Sequence, residues 1–303
     1  MAELLITSPF SIADAAAAGF SIAQVRRLLA DGHVRAVVRG AYVSVDVPDS
    51  VGLRAAALKR IVPPRAVACR RTAAWLIGVD VLPFGAHLQV PRPELLVPAG
   101  TAATRRDGVV GFSAQLADDE VVEIDGVLAT APCRTTLDLG RLLSLMDGVA
   151  GVDAMLHADV VTFDELIAGL ARLRGYRHKL RLERALDLAD GRAESLQESR
   201  LRVRLVVYAE LPQPDVQHVV PVGTGEFRLD MAYVKAKIAV EYDGAENHSS
   251  ESDIVYDEWR RELLTRRGWT FHVARSHDVL SGWMAFTAAV RASLRAAGWT
   301  DAA

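Results

Sequence analysis

Cysteine is scarce in this sequence of 303 residues. Cys69 and Cys133 are the only two, they lie far apart, and no Cys-x-x-Cys spacing occurs. That argues against a disulfide scaffold and against a zinc ribbon, and it fits a reducing compartment. Long apolar runs are lacking too. No stretch approaches the roughly 18 residues of a membrane span, so no membrane association is expected. Met1-Ala2-Glu3-Leu4 has neither the basic segment nor the cleavage pattern of a signal peptide, and the expectation is a cytoplasmic protein. An excess of positive charge is also absent. The net charge is −3, so nucleic-acid binding has to come from local patches rather than from a basic field over the whole molecule.

What is present is ordinary globular material, 50% hydrophobic and 24% charged. At roughly 150 residues per domain the length suggests two domains or three. The overall reading is α/β (α+β) in three sections, residues 1–48, 49–191 and 192–303.

In the first section Ser11 to Ala18 predicts a short helix closed by Gly19. Ser21 opens a second as a capping box with Gln24 three residues on. Ile22, Val25, Leu28 and Leu29 form its apolar stripe, Gly32 ends it, and Gln24, Arg26 and Arg27 occupy the other face. Two short β stretches follow around Gly40. Helix, turn, helix and β-ribbon is the order of a winged helix-turn-helix, which reads the major groove with its second helix. On that reading Gln24, Arg26 and Arg27 face DNA, with Arg35 and Arg39 near phosphates. The same arginines are equally read as the solvated face of an amphipathic helix.

The second section has α/β texture and little chemistry. Helices are expected at Val51–Ile61, Thr72–Ile77, Arg134–Leu145 and Phe163–Leu173, with strands at Ala86–Val90 and Val109–Phe112. His87 and His157 stand alone without ligand spacing. Ala131-Pro132-Cys133-Arg134-Thr135-Thr136-Leu137-Asp138 reads as a strand leaving into a helix, a structural signal.

Chemistry concentrates in the third section. A helix over Ser195–Ala209 precedes strands at Gln217–Val222, Phe227–Tyr233 and Lys237–Asp243. A helix over Asp253–Arg267 and a strand over Trp269–Ala274 complete an αβββαβ order, and a helix over Trp283–Ala297 closes the section. Because strand side chains alternate, Phe227, Leu229 and Met231 are expected on one face and Arg228 and Asp230 on the other. Likewise Ile238, Val240 and Tyr242 oppose Lys237, Glu241 and Asp243. If the two strands pair, Asp230, Glu241 and Asp243 converge.

Carboxylates gathered in apolar strands resist desolvation and repel one another unless a cation or a proton compensates. An all-oxygen set favours Mg²⁺ or Mn²⁺, which activates water and neutralises a phosphodiester. Glu198 is a candidate fourth carboxylate, His248 a candidate proton carrier, and Arg260 and Arg261 candidate phosphate ligands. Other readings stay open. Asp243-Gly244 is also a turn dipeptide, Glu241 could pair with Lys237 or Arg260, and Glu198 could be solvated.

The stretch Ser195-Leu196-Gln197-Glu198-Ser199-Arg200, with Leu211-Pro212-Gln213-Pro214 and Arg228-Leu229-Asp230, resembles a recurring actinobacterial domain. Val240-Glu241-Tyr242-Asp243-Gly244, His248, Asp257, Arg260 and Gly268-Trp269 extend the likeness over about the last 110 residues. That domain is related to the very-short-patch-repair endonuclease within the PD-(D/E)xK superfamily. The resemblance implies a restriction-endonuclease-like fold and a Mg²⁺-dependent DNA endonuclease, with Asp230 and Glu241 as metal-binding acids. The superfamily's lysine, two residues after the second acid, is here Asp243, and Lys237 is the nearest substitute on that face.

Val25 to Tyr42, Thr72 to Gly78 and Thr130 to Leu139 resemble AbiEi-type antitoxins, in which a winged helix represses its own operon and the rest opposes a nucleotidyltransferase toxin. DNA and a cognate toxin are the partners this implies. A homodimer is a candidate assembly because helix-turn-helix readers commonly dimerise. Two functions follow: a targeted DNA endonuclease, or an antitoxin-like regulator with an inactive nuclease fold.

Overall fold

The computed structural model describes residues 7–63, 65–83, 90, 92–99, 108–173, 175–244 and 251–300. Strand β1 (Phe10–Ser11) runs directly into α1 (Ile12–Ala17), which is followed by α2 (Ile22–Ala30) and the ribbon β2 (Val34–Val38) and β3 (Ala41–Ser44). The predicted cap of α2 forms. Gln24 N–H donates to Ser21 Oγ at 3.2 Å, and Ser21 N–H donates to Gln24 Oε1 at 2.8 Å. Gly40 takes φ +96, a left-handed turn that a side chain would strain. The three strands pair in the order β1-β3-β2, and the whole is a winged helix. Val25 is buried under α2, whereas Ile22, expected in the same stripe, is 53% exposed.

Next come α3 (Val51–Lys59), β4 (Val67–Ala68), α4 (Arg70–Ile77), β5 (Glu94–Pro98), β6 (Val110–Ala114), β7 (Val121–Ile124) and β8 (Val127–Thr130). They are followed by α5 (Pro132–Leu142), α6 (Leu145–His157), α7 (Phe163–Arg172) and α8 (Lys179–Leu188). The five strands form one sheet in the order β6-β5-β4-β8-β7. As read from Ala131–Asp138, β8 leaves into a helix, and Arg134 lies buried in it, paired with Asp138 at 3.0 Å and Glu120 at 2.8 Å. The strand expected at Ala86–Val90 and His87 fall outside the described residues, apart from Val90 itself. His157 Nδ1 lies 3.2 Å from the Gly191 carbonyl.

The last elements are α9 (Leu196–Val203), β9 (Asp215–Val222), β10 (Gly225–Tyr233), β11 (Ile238–Tyr242), α10 (Glu251–Thr265), β12 (Thr270–Ala274), α11 (Ser276–Leu280) and α12 (Trp283–Ala296). The helix expected to reach Ala209 changes character after Val203, continuing as one π-helical segment over Arg204–Tyr208. The sheet order is β12-β11-β10-β9, so β9 is an edge strand. Among the described residues no helix is long and apolar enough to cross a membrane.

Contacts divide the chain into two compact units, Met1–Leu139 with Ala158–Tyr176, and Gly140–His157 with Arg177–Ala303. In the second, α6 and α8 join α9 in a core of Val149, Ala185, Leu188 and Val203. Within it the Arg202 guanidinium donates to the Asp153 carboxylate and the Leu188 carbonyl, with both charged side chains 1% exposed. Apolar cores cover both faces of the four-stranded sheet. Leu201, Leu205, Met231, Val240 and Val290 fill one, and Leu229, Ala232, Ala239, Leu264 and Trp269 the other.

Candidate active site

Strands β10 and β11 pair antiparallel with Met231 opposite Val240. Continuing that register by one step brings Asp230 level with Glu241, as the alternation of side chains requires. The simple alternation along β10 does not hold, however. Leu229 belongs to one core and Met231 to the other. The change of face falls at Asp230, where the ladder with β9 is interrupted between the pairs Leu229–His218 and Met231–Val216, and Gln217, in the same gap on β9, takes φ +54. A non-glycine residue in the left-handed region is strained, and such residues concentrate at functional sites. Gln217 carries a role the sequence reading missed: its Nε2 donates to Glu198 Oε2 at 2.8 Å. The signal in the sequence was slight, two adjacent polar residues, Gln217 and His218, in an otherwise apolar strand.

Glu198 stands in the first turn of α9, where Ser195 Oγ caps its N–H at 3.1 Å. Its Oε2 also accepts from Glu194 N–H at 3.1 Å. Glu198 is 9% exposed, so it is not a solvated helix residue, and Glu241, 3% exposed, takes the alternative pairing with Arg260. Both oxygens of Glu241 are held from α10, Oε1 by Arg260 Nη2 at 2.7 Å and Oε2 by Arg261 Nε at 3.0 Å. Arg260 and Arg261 therefore engage an acid of the cluster in this state, and Arg260 also donates to the Arg228 carbonyl at 3.0 Å.

Asp230 is partly buried, and its Oδ2 accepts from the Tyr242 N–H at 2.9 Å. Its carboxyl is pushed up to about 7. Desolvation is the main cause, with repulsion from Glu198 next and from Glu241 smaller, opposed by the Tyr242 hydrogen bond and by Arg260. Asp230 thus feels the charge of both Glu198 and Glu241.

Asp243 and Lys237 have other partners. Asp243 is 44% exposed, 3.9 Å from Arg275, with its N–H bonded to the Ala274 carbonyl at 2.8 Å. Lys237 precedes β11, roughly 13 Å from Glu241 along an extended chain, and its Nζ donates to the Arg267 carbonyl at 2.9 Å. The structure does not bring it to the acids, because it caps the turn before the strand rather than lying in it. His248 lies outside the described residues. In the winged helix Arg26 and Arg27 are exposed on α2, while the Gln24 carbonyl serves the helix cap. Arg35 Nη2 is bonded to the Val47 carbonyl at 2.9 Å, and the Arg39 side chain packs over Gly108.

A donor set of carboxylate oxygens fits Mg²⁺ or Mn²⁺ by chemistry. The upward shift of Asp230 comes first from burial and next from Glu198, and a divalent cation would favour the ionised form against both. Among the described residues no three ligating side chains are already gathered tightly enough to hold an ion.

Comparison with known proteins bears on each half of the chain. Residues 66–188 match the family model of the AbiEi antitoxin C-terminal domain, and residues 204–296 match the restriction-endonuclease-like family REase_MTES_1575. Over 242 residues, 79% of this chain and 84% of the relative, the sequence is 31% identical to the uncharacterized protein MT2308 of Mycobacterium tuberculosis strain CDC 1551 / Oshkosh. The same figures hold for the uncharacterized protein Rv2248 of strain ATCC 25618 / H37Rv. With an AbiEi-type antitoxin domain ahead of a restriction-endonuclease-like one, the chain belongs to the family of these mycobacterial proteins.

Proposed function

We propose that the protein is a DNA-acting nuclease, guided by its winged helix and hydrolysing phosphodiester bonds at Glu198, Asp230 and Glu241, in the manner of very-short-patch-repair enzymes. The observation that carries this reading is Asp230, an aspartate pushed up to about 7 between two further buried carboxylates in a domain of restriction-endonuclease type. Perturbed carboxylates of this kind cluster at functional sites. A divalent cation at Asp230 and Glu241, Mg²⁺ or Mn²⁺, would lower the pKa of a water and neutralise charge on the scissile phosphate. Gln217 and the Glu194 N–H orient Glu198, the Tyr242 N–H orients Asp230, and Arg260 and Arg261 orient Glu241. Arg26 and Arg27 supply phosphate or base contacts from α2.

A second reading has its own support. Glu241 is already neutralised by two arginines, and Lys237 is committed elsewhere. An antitoxin-like regulator, binding operator DNA and a cognate toxin with a silent nuclease fold, accommodates both facts. Incubation of supercoiled plasmid with the full chain and Mg²⁺ or Mn²⁺, beside Asp230→Ala and Glu241→Ala, separates the two. The nuclease reading expects nicking or linearisation that both substitutions reduce at least 100-fold. DNA binding without cleavage by any form overturns it in favour of the regulator.

A further inference from the structure

Glu241 is closed off by charge. Arg260 Nη2 reaches one of its oxygens at 2.7 Å and Arg261 Nε the other at 3.0 Å, so each oxygen already accepts from a guanidinium. The two arginines are neighbours on α10, and the carboxylate they hold is buried on β11. One acid thus faces two full positive charges. An arginine side chain does not lose its proton in a protein. A change of pH therefore does not open this contact, whereas a competing anion does.

This bears on metal binding. A divalent cation at Glu241 meets two like charges close by, and their repulsion lowers its affinity for as long as the arginines stay.

The arginines also differ in how they are held. The Arg260 side chain is 13% exposed and is tied as well to the Arg228 carbonyl at 3.0 Å and to Asp257 at 3.6 Å. Arg261 is 29% exposed, so an incoming anion meets it more readily. A phosphodiester presents paired oxygens that match the guanidinium fork as well as a carboxylate does. DNA is a row of such groups.

We propose that Arg260 and Arg261 form a substrate-operated latch on Glu241. In the free protein they close this acid to a divalent cation, and their transfer to a phosphate of bound DNA opens it. The latch rests on the nuclease reading of the carboxylates. Because linked equilibria are reciprocal, DNA raises the affinity for the cation by the factor by which the cation raises the affinity for DNA.

Calorimetric titration of Mn²⁺ into the full chain, without DNA, is the first test. Arg261→Gln is expected to bind Mn²⁺ at least tenfold more tightly than the wild type, because one repelling charge is gone. Unchanged or weaker binding overturns the latch, since an arginine that only orients Glu241 gives no gain when removed. The second test reads the wild type itself, by fluorescence anisotropy of a labelled phosphorothioate duplex that resists cleavage. Binding at least tenfold tighter with Mn²⁺ than without is expected, and DNA binding indifferent to Mn²⁺ overturns the latch. Glu241→Gln keeps the shape of the acid and releases both arginines. It should bind the duplex at least threefold more tightly than the wild type without metal. The same substitution in an Arg260→Gln/Arg261→Gln background should give no gain, and an equal gain there would assign the effect to lost negative charge and overturn the latch. If no form binds Mn²⁺, with or without DNA, the nuclease reading and the latch fall together. If the wild type without DNA binds Mn²⁺ as tightly as Arg261→Gln, the metal site stands and the latch alone falls.

Discussion

At neutral pH Asp230 is divided between two protonation states, because burial and Glu198 push its carboxyl up to about 7. The unfolded chain releases that proton near the ordinary aspartate value of 3.8. The folded state therefore binds more protons between about pH 3.8 and 7, so stability falls as pH rises through that window, and the full cost of the ionised group stands above it. At about 1.4 kcal/mol per unit the cost is at most ~4 kcal/mol, and less for a side chain that water partly reaches. Asp230→Asn keeps the shape and removes the charge. It is expected to stabilise the metal-free protein by on the order of 1–3 kcal/mol at pH 8 and by little at pH 4. Thermal melts at the two pH values check this, and an equal gain at both would rule out charge as the cause. Gln217 shows the same local economy in its backbone: a φ of +54 is retained where its amide holds Glu198.

The elements that were legible in the sequence are those whose signals are local. Ser21 with Gln24 marked α2, and the strands expected at Gln217–Val222 and Phe227–Tyr233 form the β9–β10 hairpin. The αβββαβ order of the last section was readable, since its main strands and helices carry their own periodicity and stops, but the short α11 and the π-helical Arg204–Tyr208 were not. Helices α6 and α8 were missed. Leu145–His157 contains Gly148 and Gly151, which weaken a helix on propensity alone, and it is buried on most sides, so no polar stripe marks it. The very short β4 exists only through pairing with β5 and β8, which no local pattern announces. In the site, Asp230 and Glu241 stood out as carboxylates in otherwise apolar strands, whereas the break in alternation at Asp230 and the arginine clamp on Glu241 depend on pairing with β9 and on how α10 packs.

Helix α5 offers a test at this scale. A Cβ at Gly140 would stand 2.7 Å from Leu182 Cδ1 and 3.3 Å from Val152 Cγ2, both in buried residues. Replacing a helical glycine by alanine gains roughly 1 kcal/mol intrinsically, but overpacking a full core costs typically 1–3 kcal/mol. Gly140→Ala is expected to destabilise by about 1 kcal/mol net. A urea titration with increased stability would show that Leu182 yields easily.

For the whole molecule, the two family matches and the compact units divide the chain differently. The AbiEi match ends at residue 188, yet α6 and α8, which lie inside it, pack with α9 in the second unit. Arg202 is the reason this matters. Its partner Asp153 comes from α6, and without it a guanidinium 1% exposed has no counter-charge. Loss of one member of a buried pair costs about 3–5 kcal/mol. A fragment of residues 192–303 is therefore expected to be less stable than one of residues 140–303, measured by chemical denaturation followed by circular dichroism. Equal stability would mean that the nuclease-like fold stands without α6.

The edge position of β9 has a further consequence, for association. An open strand edge is a template on which another chain can extend the sheet. On β9, Pro221 has no N–H to offer, and the left-handed Gln217 interrupts the straight run of donors and acceptors. The strained residue that holds Glu198 thus also breaks the regularity of that edge. Straightening it would expose a longer, more adhesive border even if the fold survived.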